Sequence, residues 1–287
     1  MLKKLLKHEF RATRRFFLPA YGLFVTLLVL ERLSLFSAPL TEGDGVLATV
    51  SSATMGIVTF LTVVGLFALM LAPIVFNAIR FYRNMLGDEG YLTFTLPVSV
   101  DQLILSRLFT AMTWQILTGL VVGLFGGAFV YSLDPEVFSG LYAEVSAVFG
   151  PVFEKSGGWI AVIIPEVILF SLIGIACQLL NMYLSMSIGQ LANRHKLLAS
   201  FGVYVGINTV QSWIFSILTA ILVFSADSGW LENLGRQMSY SVETGNFGIF
   251  FGFYGVFLLI IIVGYCLLSL GYYFLTRYLL TKKLNLA

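Results

Sequence analysis

Cysteine and histidine are scarce in this 287-residue chain, which has two of each. Cys177 and Cys266 both lie inside apolar runs, so they offer neither a disulfide framework nor the clustered thiolates of a structural metal site. His8 and His195 are single residues beside basic ones, and neither His-Glu-x-x-His nor Cys-x-x-Cys occurs. We therefore expect no metal site and no catalytic residues in the chain.

A phosphate-binding loop is also missing, because the pattern Gly-x-x-x-x-Gly-Lys-Ser/Thr does not occur. The chain is therefore expected to bind no nucleotide in the usual way and no other cofactor. With no hydrolytic constellation either, the sequence predicts a protein that is not an enzyme. Any catalysis that its function needs must be carried out by another chain.

Charged residues make up only 11% of the chain, whereas 58% of its residues are hydrophobic and its mean hydropathy is +0.91. Soluble domains have about 25% charged residues, so a soluble protein is excluded. A membrane span needs about 20 apolar residues, and six windows reach that length: 16–36, 55–79, 107–132, 160–188, 197–226 and 247–276. The predicted fold class is an all-α membrane protein with six transmembrane helices. We expect the chain to lie in a lipid bilayer and to bind no nucleic acid.

Six spans place both termini on one side of the membrane, and Lys and Arg predict which side. Of the 17 basic residues, only Arg32, Lys155 and Arg236 fall on the side opposite the termini. Because short cytoplasmic loops are enriched in Lys and Arg, both termini are predicted to be cytoplasmic. No connecting loop exceeds about 30 residues, which is too short for a stable soluble core. Residues 1–287 are therefore predicted to form a single transmembrane domain.

Residues 1–15 combine an apolar stripe with a cationic remainder. Leu2, Leu5, Leu6 and Phe10 recur at helical spacing, and basic residues cover the other positions. This pattern is typical of a helix that lies in the membrane surface. The same cations also fit a role in fixing topology, and the two interpretations are compatible. The basic residues are Lys3, Lys4, Lys7, Arg11, Arg14 and Arg15.

A second amphipathic segment is predicted over residues 133–158, on the extracellular side. Phe138, Leu141, Tyr142 and Val145 begin a helical i, i+3, i+4, i+7 series there. We expect this segment to be a helix that rests on the outer face of the membrane.

Glycines recur at every fourth position of the third span, at Gly119, Gly123 and Gly127. Small residues at this spacing let membrane helices approach closely. Packing within the chain and packing against a second subunit both use such a ridge, and the sequence leaves both open. Similar pairs occur at Gly202 and Gly206, and at Gly248 and Gly252.

Polar side chains within the spans are costly unless they find partners. Gln178 and Asn181 share one face of the fourth span, and Asn208 and Gln211 share one face of the fifth. Hydrogen bonds between helices and a hydrated substrate path both fit these stripes. Glu166 is a candidate functional carboxylate for the same path if the fourth membrane helix begins near residue 159; alternatively, that helix begins after Glu166 and residues 159–165 form a surface segment.

A polar insert at residues 80–106 separates the second span from the third. Gly87 and Gly90 flank the acidic pair Asp88 and Glu89, so the backbone can turn sharply. Pro97 breaks any helix, and Ser99 with Gln102 fits a capping box that starts the next one. The apolar residues between these points need a cover, either the membrane surface or another protein, and an extended strand would fit them as well as a helix. They are Tyr91, Leu92, Phe94 and Leu96.

The run Gly-Asp-Glu-Gly-Tyr-Leu-Thr-Phe-Thr-Leu-Pro-Val-Ser at residues 87–99, the basic amphipathic N-terminus and the six spans together resemble bacterial ABC exporter permeases of the type-two class. The resemblance covers the whole chain, and the run is its distinctive part. It implies a short cytoplasmic coupling helix between spans two and three, which packs on a separate ABC ATPase subunit, with the N-terminal helix contacting that subunit too. The coupling residues would be Gly87, Asp88, Glu89, Gly90, Tyr91, Leu92, Phe94 and Leu96.

The resemblance also implies the rest of the assembly. A second permease subunit, identical or homologous, would form the substrate path at the interface, and the ATPase would bind ATP and magnesium. The location would be the cytoplasmic membrane of a bacterium. The leading expectation is therefore an ATP-driven exporter of an amphiphilic, drug-like or peptide substrate. The alternatives are an ion-coupled secondary transporter that uses Glu166 and the span amides, and a non-transporting membrane immunity or scaffold protein.

Overall fold

Seven long α-helices and no strand make up the part of the chain that the structure describes. They are α1 (Leu2–Ser37), α2 (Val46–Phe81), α3 (Val100–Leu133), α4 (Pro135–Lys155), α5 (Ile160–Gly189), α6 (Lys196–Phe224) and α7 (Gly248–Tyr278). Single π-helical turns follow α2 (Tyr82–Leu86) and α7 (Leu279–Lys283), and a 3₁₀ turn (Gly157–Trp159) precedes α5. The structure is a computed structural model that describes residues 1–37, 45–87, 90, 95, 97–155, 157–192, 194–224, 229, 232–233, 235–237, 239–240 and 248–283.

Six helices of the described chain are long and apolar enough to cross a membrane. The candidate spans are Leu2–Ser34, Ala48–Leu86, Val100–Leu133, Ile160–Gly189, Lys196–Ile221 and Phe251–Lys282. Many of their large apolar side chains face outward, such as Phe60 at 66% exposed and Leu124 at 71%. Exposed apolar surface on this scale suits lipid rather than water. The prediction of an all-α, multi-pass membrane protein is confirmed.

The predicted interfacial segment and the first span form one continuous helix. α1 has no break near residue 15. Thr13, near the end of the predicted segment, is 1% exposed, and its hydroxyl oxygen accepts a 2.7 Å hydrogen bond from Trp114 Nε1 of α3. The last turns of the segment are therefore packed against another helix. A surface orientation for residues 1–15 stays a prediction.

The helix predicted over residues 133–158 is α4, which the structure places at Pro135–Lys155. Asp134 starts it, because its Oδ1 accepts hydrogen bonds from the backbone N–H groups of Glu136 and Val137 at 2.9 and 3.1 Å. Leu141 and Tyr142, from its predicted apolar face, are 60% and 68% exposed. The helix is confirmed, and its position on the outer membrane face stays a prediction.

The chain divides into two compact units, and the segments of each unit pack mainly against one another. The first unit comprises Met1–Phe81 and Asp101–Tyr142, and the second comprises Tyr82–Val100 and Ala143–Ala287. The prediction of one transmembrane domain stays a prediction.

An aromatic cluster forms the core of the first unit. The Phe17 ring stacks on that of Trp114 with a centroid distance of 4.6 Å, and meets the Phe76 ring edge-on at 5.2 Å. The Tyr21 and Thr118 hydroxyls are 2.7 Å apart. Thr13, Phe17 and Tyr21 share one face of α1 because they are four residues apart. This face joins α1 to α2 and α3.

The second unit is built around α5, which packs against both α6 and α7. The second half of α5 supplies much of the core, including Leu179, Tyr183 and Leu184. α6, by contrast, exposes large side chains such as Phe201 and Trp213. α5 and α6 are joined by a short turn in which His195 has a positive φ of 53°.

Candidate functional site

The two glycines of the predicted coupling segment follow the π-helical turn at the end of α2. The Gly87 N–H donates to the Tyr82 carbonyl at 2.8 Å, and the Gly90 N–H donates to the Gly87 carbonyl at the same distance. A Cβ atom at Gly90 would lie 2.8 Å from the Met85 carbonyl oxygen, so no side chain fits there without a shift. The hydrogen bond from Gly90 to Gly87 fits the predicted sharp turn, and close backbone packing explains the glycine at 90.

The remaining predicted coupling residues lie outside the described residues: Asp88, Glu89, Tyr91, Leu92, Phe94 and Leu96. α3 begins at Val100, directly after Ser99, which confirms the predicted helix start. The coupling helix itself stays a prediction.

Arg80 and Arg107 lie at the two ends of the polar insert, and both pair with the carboxylate of Glu9. Arg80 Nη2 lies 2.6 Å from Glu9 Oε2, and Arg107 Nε lies 3.7 Å from Glu9 Oε1. The Glu9, Arg80 and Arg107 side chains are only 15%, 20% and 7% exposed. Because solvent screens these charges little, their attraction exceeds that of a surface pair. This Glu9 cluster (Glu9, Arg80 and Arg107) joins α1, α2 and α3 within the first unit.

In the sequence, Arg80 and Arg107 belong to the basic residues on the predicted cytoplasmic side, and no pattern indicates a role for Glu9. The one signal is that Glu9 is the only acidic residue among the first 30. Its partners are 71 and 98 positions away along the chain, a separation that helical periodicity does not span.

The inward orientation of Glu9 leaves only positive charges on the outer surface of the first turns of α1. All six basic side chains predicted to cover this segment are exposed: Lys3, Lys4, Lys7, Arg11, Arg14 and Arg15. With no acidic side chain among them, this cationic face is suited to a phosphate-bearing membrane surface or to an acidic partner.

The polar stripe on α5 is divided between two environments. Gln178 is exposed, whereas Asn181 and Ser185 are 3% and 1% exposed. The Ser185 hydroxyl donates to the Asn181 carbonyl at 2.8 Å, within the same helix. The buried half of this stripe therefore satisfies part of its hydrogen bonding locally.

The polar stripe on α6 contacts α7. Gln211 Oε1 accepts a 3.3 Å hydrogen bond from the Tyr272 hydroxyl of α7. Asn208 instead donates from Nδ2 to the Tyr204 carbonyl of its own helix at 2.7 Å. Hydrogen bonding between helices thus accounts for Gln211. A substrate path through Gln178, Asn181, Asn208 and Gln211 stays a prediction.

Glu166 lies in the second turn of α5, which begins at Ile160, so the residues before it belong to the same helix. Its carboxylate packs against Gly255 of α7, where a Cβ atom would be 3.3 Å from Oε2. That Oε2 is buried and has no hydrogen-bond partner in the described chain. A glycine at 255 leaves space for the carboxylate, and Glu166 remains a candidate site residue.

The glycine ridge (Gly119, Gly123 and Gly127) faces open space. No atom of the described chain lies within 4 Å of a Cβ built on any of these three residues. The neighbouring Gly126 differs, because its Cβ would lie 3.3 Å from Leu66 of α2. Within the described residues, the ridge is not used for packing inside the chain.

No group of three or more His, Cys, Asp or Glu side chains that could hold a metal ion occurs in the described ranges. The expectation that the whole chain binds no metal stays a prediction. In comparisons with known proteins, no family model, no curated protein and no solved structure matches the chain.

Proposed function

We propose that this chain is the transmembrane permease subunit of an ATP-driven ABC exporter in a bacterial cytoplasmic membrane. It works with a separate ATPase subunit, which binds ATP and magnesium, and with a second permease subunit. Both termini and the polar insert face the cytoplasm. The substrate is an amphiphilic, drug-like or peptide molecule, which moves outward.

The observation that carries this proposal is the Glu9 cluster. The resemblance assigns contact with the ATPase to two separate parts of the sequence, the N-terminal helix and the insert. Glu9 belongs to the first part, and Arg80 and Arg107 lie at the two ends of the second. A shielded ion-pair network between them supports a mechanical link, because a force on the ends of the insert would be transmitted to α1.

The glycine ridge supports the second permease subunit. Open glycines at four-residue spacing allow another helix to approach closely. In a bilayer, such packing has to supply the association energy, since apolar side chains gain little by leaving lipid.

The direct test is co-purification of an ATPase with the tagged full-length chain from membranes of its source organism. Asp88→Lys with Glu89→Lys should remove ATP hydrolysis from the purified complex, because the acidic pair is replaced by cations at the proposed contact. Glu136→Lys, on the exposed surface of α4, is the matched control and should leave hydrolysis unchanged. Equal hydrolysis in all three samples would refute the docking role.

A second candidate, an ion-coupled secondary transporter, is favoured by one observation: Glu166 Oε2 is buried without a hydrogen-bond partner in the described chain. Flux measurements in sealed vesicles separate the candidates. Export that needs ATP and persists without ion gradients supports the ABC permease. Export that follows an ion gradient without ATP supports the alternative, and no flux under either condition supports an immunity or scaffold protein.

A further inference from the structure

Glu31 is a buried carboxylate within the first candidate span. Its side chain is 1% exposed, and Oε2 has no hydrogen-bond partner in the described chain. Its closest hydrogen bond is a long one, from the Thr59 hydroxyl of α2 to Oε1 at 3.4 Å. An ionisable side chain at such a position is costly unless its charge is compensated.

Thr62 of α2 also lies within hydrogen-bond reach of this carboxylate, but its hydroxyl has a second acceptor. Thr62 is 0% exposed, and its hydroxyl donates to the Val58 carbonyl at 2.9 Å. A hydroxyl has one proton, so Thr62 cannot donate to the Val58 carbonyl and to Glu31 at the same time. While Thr62 donates to Val58, its oxygen and that of Glu31 face each other as acceptors and repel unless a positive charge lies between them.

Arg32 does not supply that charge through a direct pair. Its Nη2 donates to the Ala128 carbonyl of α3 at 3.3 Å, and its guanidinium lies over the Tyr131 ring at 5.8 Å. No salt bridge of Glu31 occurs among the residues that the structure describes, so Arg32 acts on the carboxylate only through space. The charged group near the carboxylate is therefore Arg32 on its own helix, while α2 presents the two threonines.

We propose that Glu31, Thr59 and Thr62 form a binding site for a small monovalent cation. All the side-chain ligands are hard oxygens, which prefer hard cations. One carboxylate balances one positive charge, so a monovalent ion matches the charge of Glu31, whereas a divalent ion would add an uncompensated charge beside Arg32. A sodium ion and a proton are both monovalent cations that bind to hard oxygens. The site is independent of the exporter proposal.

Carbodiimide labelling of the purified full-length chain tests the site. Dicyclohexylcarbodiimide modifies protonated carboxyls in apolar surroundings, and peptide mass spectrometry locates the adduct. We expect labelling of Glu31 in choline chloride and several-fold less labelling in sodium chloride of the same concentration. Glu9, which is paired with two arginines, is the internal control and should stay unmodified in both salts.

Thermal unfolding provides the second readout, because a cation that binds only the folded chain raises the unfolding midpoint. Sodium should raise the midpoint of the wild type and lose this effect in Glu31→Gln. Thr59→Val and Thr62→Val should need several-fold more sodium for the same rise, since each removes one ligand and keeps the shape. Thr54→Val, an exposed position on α2, should behave like the wild type.

The possible results distinguish a sodium ion from a proton in the site, and one set of results refutes the proposal. Protection by sodium identifies a sodium site. Labelling that ignores sodium and fades as the pH rises identifies a proton as the occupant. The proposal is overturned if Glu31 is unlabelled at every pH and sodium shifts the midpoints of the wild type and the two threonine variants equally. The valine variants keep the test decisive if Glu31→Gln does not fold.

Discussion

At the scale of single residues, Gly189 at the end of α5 is fixed by the backbone of α6. A Cβ atom there would lie 2.6 Å from both the Cα and the amide nitrogen of Ser200, and would also overlap its hydroxyl. A backbone contact cannot be relieved by a rotamer change, so Gly189→Ala must separate the two helices. We expect a loss of about 1 to 3 kcal/mol in the free energy of unfolding, measured by denaturant titration in detergent.

Gly202→Ala on α6 is the matched control for this experiment. It introduces the same methyl group at a position with no atom of the described chain within 4 Å. Its stability should equal or slightly exceed that of the wild type, because alanine favours helix more than glycine does. If both variants are equally stable, the helices are not in contact at Gly189.

Thr13 and Trp114 support a second prediction at this scale. Thr13→Val removes the acceptor of the Trp114 indole N–H while keeping the volume of the side chain. Because Trp114 is only 5% exposed, the orphaned donor should cost about 1 to 3 kcal/mol of unfolding free energy. Thr209→Val, at an exposed position on α6, should change stability little. A result in which both variants match the wild type would contradict the buried hydrogen bond.

At the scale of helices, the Glu9 cluster can be isolated by a double-mutant cycle. Glu9→Gln, Arg80→Gln and the double variant should give a coupling energy of about 1 to 3 kcal/mol, because the pair is short and shielded. The same cycle on Glu232 and Arg236 is the control. That pair is 3.9 Å apart with side chains 75% and 67% exposed, so about 0.5 kcal/mol or less is expected. Equal coupling energies in the two cycles would refute the proposal that the Glu9 cluster is a mechanical link.

The helices themselves were largely predictable from sequence. Hydropathy predicted a span at 160–188, and the structure has α5 at Ile160–Gly189. Helical periodicity predicted α4, and Ser99 predicted the start of α3. These signals are local, because each depends on residues a few positions apart. The continuity of α1 was not predicted, because the composition changes from basic to apolar after residue 15 and such a change does not show whether the helix breaks there. α1 runs through this point, with Pro19 inside the helix.

Contacts between helices were beyond the sequence for a physical reason. The role of Glu9 depends on two arginines from other helices, and the burial of Glu31 depends on two threonines of α2. Periodicity gives the face on which a residue lies, but not which helix covers that face. The polar stripe of α6 is one example: its face was predicted, whereas the partner of Gln211 on α7 was not.

At the scale of the whole molecule, the glycine ridge predicts the number of permease subunits in the proposed exporter. Gly123→Leu should convert a complex with two permeases into one with a single permease, because a large side chain prevents close approach of the partner helix. Native mass spectrometry of the detergent-solubilised complex measures this. Leu124→Phe, at an adjacent position that is 71% exposed, is the control and should keep two permeases. If the Gly123→Leu complex still contains two permeases, the ridge does not form the interface between them.

The orientation of the chain decides whether coupling to a cytoplasmic ATPase is physically possible. Thr95→Cys, in the polar insert, and Tyr142→Cys, 68% exposed on α4, report the two predicted sides. In a background where Cys177 and Cys266 are alanine, an impermeant maleimide should label Tyr142→Cys on intact cells. It should reach Thr95→Cys only after the membrane is permeabilised, because the basic residues retain the insert inside. The reverse pattern would place the insert outside, where no cytoplasmic ATPase could transmit force to the ends of the insert.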